Sequence, residues 1–310
     1  MRRTRRTHIV AVALIEHLGD IVACEPIARS VREEHPDAYI LWLVRKQYRT
    51  LIENNPSIDE ALVVHCLTEK KFLVRSGLLN LSLDLHFPER HCALCPGSWA
   101  GQASAQIRES VGIRNFYLFG GILRSMALFA GVTLQNEVPR IYIRENEKQT
   151  VDALHLPPRF AVFHCSSNTF EKDWPRDTWE ALARHITGRH ECEIVEVGLQ
   201  ATLNDSGLAL YTNAAGSLSI LETAEVIKRG RIFIGVDSGP AHLANAVGTY
   251  GIVLLGSYLG FKKYNPFSGS YGDGSNAALL HREGAVAGIP LDSVLHAVDS
   301  FFQSTRSLNR

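Results

Sequence analysis

The segment with the clearest chemical content spans residues 231–249. An apolar run ends at Val236, a polar turn Asp237-Ser238-Gly239 follows, and a helical pattern opens on Pro240-Ala241-His242. Proline suits the first turn of a helix, where its missing N–H costs nothing. The free N–H groups of a helix start, helped by the helix dipole, bind phosphate. Gly239 lets a phosphate approach the backbone and Ser238 offers a hydroxyl. Asp237 repels phosphate and is better suited to accept hydrogen bonds from sugar hydroxyls. The alternative is that Asp237 or Ser238 only caps the helix.

Two further segments place reactive groups after apolar runs. Gly19-Asp20 follows the first of them, where a carboxylate could act as a general base; a helix N-cap is the competing role. His164-Cys165-Ser166-Ser167-Asn168-Thr169 leaves a later run, offers four small polar side chains, and leads to Lys172-Asp173-Trp174-Pro175. A lysine there is a suitable point charge for a leaving diphosphate. Its competing role is a surface charge beside a tryptophan packed in the core.

The elements needed to position these groups alternate regularly. Apolar, β-rich runs at 9–14, 39–44, 60–64 and 81–85 predict strands, and periodic patterns at 21–34, 47–54 and 118–131 predict helices. After His155-Leu156-Pro157-Pro158, a strong break, the alternation restarts. Strands are expected at 160–164, 192–197, 231–236 and 251–256, and helices at 175–188, 220–229, 240–247 and 291–303. Strands alternating with helices imply parallel βαβ units. The expected fold is α/β, with one doubly wound sheet in residues 1–155 and a second in residues 156–310. Ligands of such sheets bind beyond the carboxyl ends of the strands, so two such domains face to face would form a two-walled cleft. No Gly-x-Gly-x-x-Gly follows the first strand and no P-loop pattern is present, which argues against a dinucleotide enzyme and a P-loop NTPase.

Composition narrows the classes. The 310 residues are 45% hydrophobic, enough for a full core, and Lys+Arg balance Asp+Glu at 32 each, which argues against a dedicated nucleic-acid binder. No apolar run reaches the length of a membrane span. The basic start, Met1-Arg2-Arg3-Thr4-Arg5-Arg6-Thr7-His8, precedes only seven apolar residues before Glu16, so it reads as a solvated tail rather than a secretion signal. Weak attraction to anionic lipid head groups is its functional alternative. Four of the six cysteines, Cys24, Cys66, Cys165 and Cys192, stand alone in apolar segments and read as small hydrophobes. With no secretion signal, disulfides are not expected and the cytoplasm is the default compartment. His86, His91, Cys92 and Cys95 form a weak candidate metal cluster, since one Cys-x-x-Cys lacks a second pair. Two ordinary loop cysteines are the simpler reading.

Taken together, the three segments resemble glycosyltransferase family 9, the ADP-heptose:lipopolysaccharide heptosyltransferases. Gly19-Asp20, Lys172-Asp173-Trp174-Pro175 and Asp237-Ser238-Gly239-Pro240-Ala241-His242-Leu243-Ala244 occur in that family's order and spacing. The resemblance implies the GT-B fold, two Rossmann-like domains with the active site between them: an N-terminal acceptor domain and a C-terminal nucleotide-sugar domain, with a last helix that can return to the first. It implies inverting, metal-independent transfer from an ADP-sugar, with no cofactor. By position, Asp20 matches the general base and Lys172 the cation on the donor phosphates. Ser167 and Asn168 match phosphate-binding residues, Asp237 the sugar-contacting acid, and Ser238 and Gly239 the diphosphate contacts. His242 belongs to the same donor motif. Glu222 falls near the ribose-binding acid, with Glu225 as its competitor.

The expected partners are a nucleotide-sugar and a glycolipid or glycan acceptor, with no nucleic acid. The expected place is the cytoplasm, with peripheral contact at the inner face of the cytoplasmic membrane as an extension. One departure lies at the acceptor end: family members often carry Ser or Thr before Gly-Asp, whereas this chain has Glu16-His17-Leu18. Two rivals follow. One is the same chemistry with a protein acceptor or another donor. The other is a nonenzymatic nucleotide-sugar-binding protein.

Overall fold

The computed structural model describes residues 8–87, 90–92, 94, 98–99, 111–204 and 206–307. The chain forms two compact units, Met1–Tyr142 with Asn265–Gly269, and Ile143–Tyr264 with Ser270–Arg310. No helix among the described residues is long and apolar enough to cross a membrane.

In the first unit the elements run β1 (Ile9–Ala13), α1 (Leu18–Ala23), α2 (Glu25–Glu34), β2 (Tyr39–Val44), β3 (Glu60–Val63), α3 (Leu67–Val74) and β4 (Leu81–Asp84). A two-residue antiparallel ladder, β5 (Arg90–His91) with β6 (Ser98–Trp99), and helix α4 (Ile122–Ala130) follow. The sheet order is β3-β2-β1-β4, with every pairing parallel. Val10 to Ile15 are fully buried, which is what a central strand covered on both faces requires. The single helix expected over 21–34 is two helices meeting at Cys24. The cause is Pro26, which has no N–H to give to the turn before it. The segment 265–269 belongs here because it lies on the start of α4. The Ile122 N–H donates to the Pro266 carbonyl at 3.4 Å, and a side chain at Gly121 would collide with the Phe267 backbone.

The second unit runs α5 (Glu145–Asp152), β7 (Phe160–His164), α6 (Arg176–His190), β8 (Glu193–Glu196), β9 (Tyr211–Asn213), α7 (Ile220–Arg229), β10 (Ile232–Val236), α8 (Gly239–Val247), β11 (Gly251–Leu255), a single turn α9 (Gly269–Gly272), β12 (Ala277–His281) and α10 (Leu291–Ser307). The all-parallel order β9-β8-β7-β10-β11-β12 is the 3-2-1-4-5-6 order of a doubly wound sheet. Every residue of β7, β10 and β11 is buried. Trp174 and Trp179 meet edge-on at 5.1 Å beneath the sheet, and the Trp174 indole N–H donates to the Ile289 carbonyl at 3.0 Å.

The units divide at Tyr142/Ile143, ahead of the Pro157-Pro158 break. Helix α5 explains the earlier position. The Arg229 guanidinium on α7 donates to the Asp152 carboxylate at 2.6 Å and the Lys148 carbonyl at 3.2 Å, tying α5 into the second unit. The last helix, α10, packs on α6, β11 and β12 of its own unit. Strand β9, strand β12 and helices α3 and α5 are additions to the sequence-based expectation.

Candidate active site

In a 3-2-1-4-5-6 sheet, the strand order reverses between strands 1 and 4, and a crevice opens at their carboxyl ends. In the second unit those strands are β7 and β10. The loop leaving β7 carries Lys172 and the turn leaving β10 carries Asp237. The Lys172 ammonium donates to Asp237 Oδ2 at 2.7 Å, and both side chains are largely buried. Residues 65 positions apart in the chain are thus joined at the one place where this topology makes a ligand crevice.

Three groups the motifs did not mark complete the cluster. The buried Tyr264 hydroxyl donates to the same Asp237 Oδ2 at 2.5 Å. Burial, then the Asp237 charge and hydrogen bond, pushes that phenol well above its ordinary range, so it remains a donor. Lys172 Nζ also stands 3.9 Å from the centre of the Tyr258 ring, a close cation–π contact. Tyr258 is fixed by reciprocal backbone hydrogen bonds with Phe261 at 3.0 and 2.8 Å, across a turn in which Leu259 and Gly260 both have positive φ. That is the backbone pattern of a type I′ hairpin turn. His281, at the end of β12, faces the same cluster. Burial and then the Lys263 charge lower its pKa, against the opposing pull of Asp237.

The start of α8 distinguishes the two readings of the Asp-Ser-Gly turn. Ser238 occupies the N-cap position but makes no side-chain capping bond; its hydroxyl instead donates back to the Val236 carbonyl at 3.2 Å. Asp237 is committed to Lys172 and Tyr264. No side chain in the turn therefore caps α8, and the capping role is corrected. The helix start, with Gly239 as its first residue, keeps the character of an anion site.

The remaining candidates are placed as follows. Ser167 closes its own loop: its N–H donates to Asp173 Oδ1 at 2.6 Å and its hydroxyl to the Thr169 carbonyl at 2.9 Å. Asn168 beside it is exposed. His242 is buried within α8. Glu222 completes a capping box with Ser219 at the start of α7, accepting the Ser219 N–H at 2.7 Å. Glu225 is buried and accepts from Arg229 Nε at 2.8 Å. His164, the last residue of β7, donates from Nδ1 to the Val197 carbonyl at 2.9 Å, and burial lowers its pKa, so it is held neutral. A Cβ at Gly198 would stand 3.0 Å from that nitrogen, and φ there is +143°, so the position demands glycine.

In the first unit the corresponding reversal lies between β1 and β4. Asp20 sits in the first turn of α1, half-buried, after β1. Just before it, the buried Glu16 carboxylate pairs with Arg45 at 2.9 Å, so the unusual Glu16 has a structural partner at the end of β2. At the end of β4, the Asp84 carboxylate accepts from the fully buried Lys70 ammonium at 2.8 and 2.9 Å. His86 Nε2 accepts the Ile15 N–H at 3.4 Å, and its Nδ1 stands 3.1 Å from both Asp84 Oδ1 and the Lys70 ammonium. Burial alone would raise the Asp84 carboxyl, but His86 and Lys70 outweigh it and hold it down at about 2. This removes His86 from the candidate metal cluster, because both ring nitrogens are occupied. Cys92 is half-buried; the His91 side chain and Cys95 lie outside the described residues. Of the four cysteines read as buried hydrophobes, Cys66 is corrected. It is half-buried, and its sulfur caps α3 by accepting the Glu69 N–H at 3.5 Å.

Residues 113–263 match the family model "Glycosyltransferase family 9 (heptosyltransferase)". No curated protein sequence matches the chain. Among solved structures, the glycosyl transferase family 9 protein from Veillonella parvula superposes with a TM-score of 0.71 at 18% identity, over 96% of this chain and 97% of that one. The ADP-heptose lps heptosyltransferase II of E. coli gives 0.68 at 16% identity, over 96% and 99%. The E. coli heptosyltransferase WaaC with ADP gives 0.59 at 12% identity, over 94% and 97%. At these identities the superpositions establish the fold, two parallel-sheet units of the GT-B kind. That fold and the match over residues 113–263, just under half of the chain, make the chain similar to the glycosyltransferases of family 9, the heptosyltransferase-like type.

Proposed function

We propose that this enzyme transfers a heptose or a related sugar from an ADP-sugar to an acceptor hydroxyl, with inversion and without a catalytic metal, in lipopolysaccharide-core or other surface-glycan synthesis. The observation that carries the reading is the Lys172–Asp237 pair at the β7/β10 reversal, beside a helix start that no side chain caps. The solved structure of WaaC with ADP supports the choice of nucleotide.

In this reading Asp20 takes the proton from the acceptor hydroxyl as its oxygen attacks the anomeric carbon. The bond from that carbon to the diphosphate oxygen breaks, and its electron pair leaves on the nucleoside diphosphate. Lys172 and the α8 start stabilise that charge, a task worth about 3 kcal/mol per preorganised donor. When Lys172 turns to the phosphates, Asp237 is released to accept hydrogen bonds from the sugar.

The test is ADP release from ADP-heptose with a panel of glycolipid and glycan acceptors, alongside thermal shifts with ADP, GDP and UDP. Stabilisation by ADP above the others, and sugar transfer lost in Asp20→Ala, are expected. Preferential stabilisation by GDP or UDP would refute the ADP donor. Normal turnover in Asp20→Ala would refute the base.

A further inference from the structure

Helices α6 and α10 carry a second cluster that the transfer reaction does not use. His185 Nε2 and His190 Nε2, both on α6, stand 2.8 and 2.7 Å from the same oxygen, Asp299 Oδ1 on α10. The three ligand-capable atoms lie within 4.8 Å of one another. His190 is buried and stacked on Phe302 at 4.3 Å and 15°, so its ring plane is fixed by packing. His185 and Asp299 are about a fifth exposed, which leaves an open side for water ligands.

We propose that His185, His190 and Asp299 bind a first-row divalent metal ion of the Zn2+ class, which fastens the last helix to α6. Two imidazole nitrogens and one carboxylate oxygen, with an open position, form a donor set that suits zinc. At metal–ligand bonds of about 2.0–2.1 Å, tetrahedral donors stand about 3.3 Å apart. The two N–O pairs therefore need to separate by about half an ångström, while the two Nε2 atoms, within 4.8 Å of each other, settle to the same spacing. Both helices are long and packed on one sheet, so the backbone positions are already set. To bind through Nε2, each imidazole gives up the Nε2 proton that it now donates to Asp299 Oδ1, so metal binding at this site displaces those protons. The opposing charge in contact with Asp299 is Arg189, whose Nε is 3.3 Å from Asp299 Oδ2. Its side chain is 60% exposed and can turn to solvent. The site is structural, so it is compatible with metal-independent transfer.

The test is calorimetric titration of the reduced, chelator-stripped full chain with ZnCl2, paired with thermal unfolding with and without Zn2+. Wild type should bind one equivalent more than His185→Gln and than Asp299→Asn, and its unfolding temperature should rise with Zn2+ more than theirs. Working by difference removes binding at Cys92 or other thiols from the result. Equal stoichiometry and equal Zn2+ shifts in wild type and His185→Gln would overturn the proposal and leave a hydrogen-bonded clamp. His185 is partly exposed, so that variant decides the matter even if Asp299→Asn fails to fold.

Discussion

The Lys172–Asp237 pair can be tested as an energetic unit. The perturbations are Lys172→Met, which keeps the stem under Tyr258 but removes the charge, and Asp237→Asn, which keeps the shape but removes the partner. Breaking one side of a buried pair leaves an uncompensated charge and typically costs 3–5 kcal/mol. Here each survivor keeps one favourable neighbour: the Tyr264 hydroxyl for Asp237 and the Tyr258 ring for Lys172. The lower end, about 3 kcal/mol per single variant, is therefore expected. In a unit of this size that lowers its unfolding temperature by roughly 6–12 °C. The double variant leaves no stranded charge and should cost little more than either single, giving a coupling of about 2–3 kcal/mol. The assay is equilibrium denaturation of the full chain, following the transition reported by Trp174 and Trp179. A coupling below about 0.5 kcal/mol, the value of an exposed surface pair, would refute the idea that burial makes this pair matter. Repeating the cycle in saturating ADP adds a second condition. The coupling should fall, because the diphosphate takes over Lys172; an undiminished coupling would show that Lys172 does not change partners.

Lys172→Ala should weaken ADP binding by at least tenfold in calorimetry, whereas Asp20→Ala should leave it within about twofold. Tyr264→Phe strips a buried charged acceptor of one donor and should cost about 1.5–3 kcal/mol, read as a shift in denaturation midpoint. The Asp84 carboxyl sits at about 2 in the folded protein, below its ordinary value of about 3.9. Its stabilisation is thus present above about pH 4 and is lost as pH falls towards 2, a difference of about 2 kcal/mol. Denaturation between pH 5 and 3 should show about half of that loss, ~1 kcal/mol, in wild type and a flatter profile in Asp84→Asn, whose stability is already lower because Lys70 is stranded. Gly251→Ala would drive a methyl into the buried Tyr271 ring and hydroxyl; a loss of about 1–3 kcal/mol is expected, measured by thermal unfolding.

The strands of both sheets were readable where burial on both faces writes a continuous apolar run. Strands β2 and β7 and helix α7 have the bounds that the pattern predicts. The missed elements lack that signature. Helix α5, Glu-Asn-Glu-Lys-Gln-Thr-Val-Asp, buries only Glu147 and Val151, and is held by Arg229 rather than by an apolar stripe. Strands β9 and β12 are edge strands, only partly buried along most of their length. Lys172 and Asp237 were found because each follows a readable strand. Tyr258, Tyr264 and His281 were not, since no motif marks them. Their only signal was position: each lies at or beyond the carboxyl end of a strand in the same sheet, where a crevice-lining residue belongs. The direct ion pair was beyond sequence reasoning, because it depends on β7 and β10 being neighbours.

The segment 265–269 has a consequence for how the chain is made. Synthesis runs from the amino end, and N-terminal domains generally fold first as they emerge. Here the first unit is short of one piece until more than a hundred further residues have been translated, because the Pro266 carbonyl and Phe267 backbone that receive the start of α4 come from beyond the second unit's central strands. The nascent N-terminal unit therefore leaves the ribosome with the start of α4 uncovered. A peptide ending at Tyr142 would stay in that unfinished state, while adding 265–269 in trans should complete it.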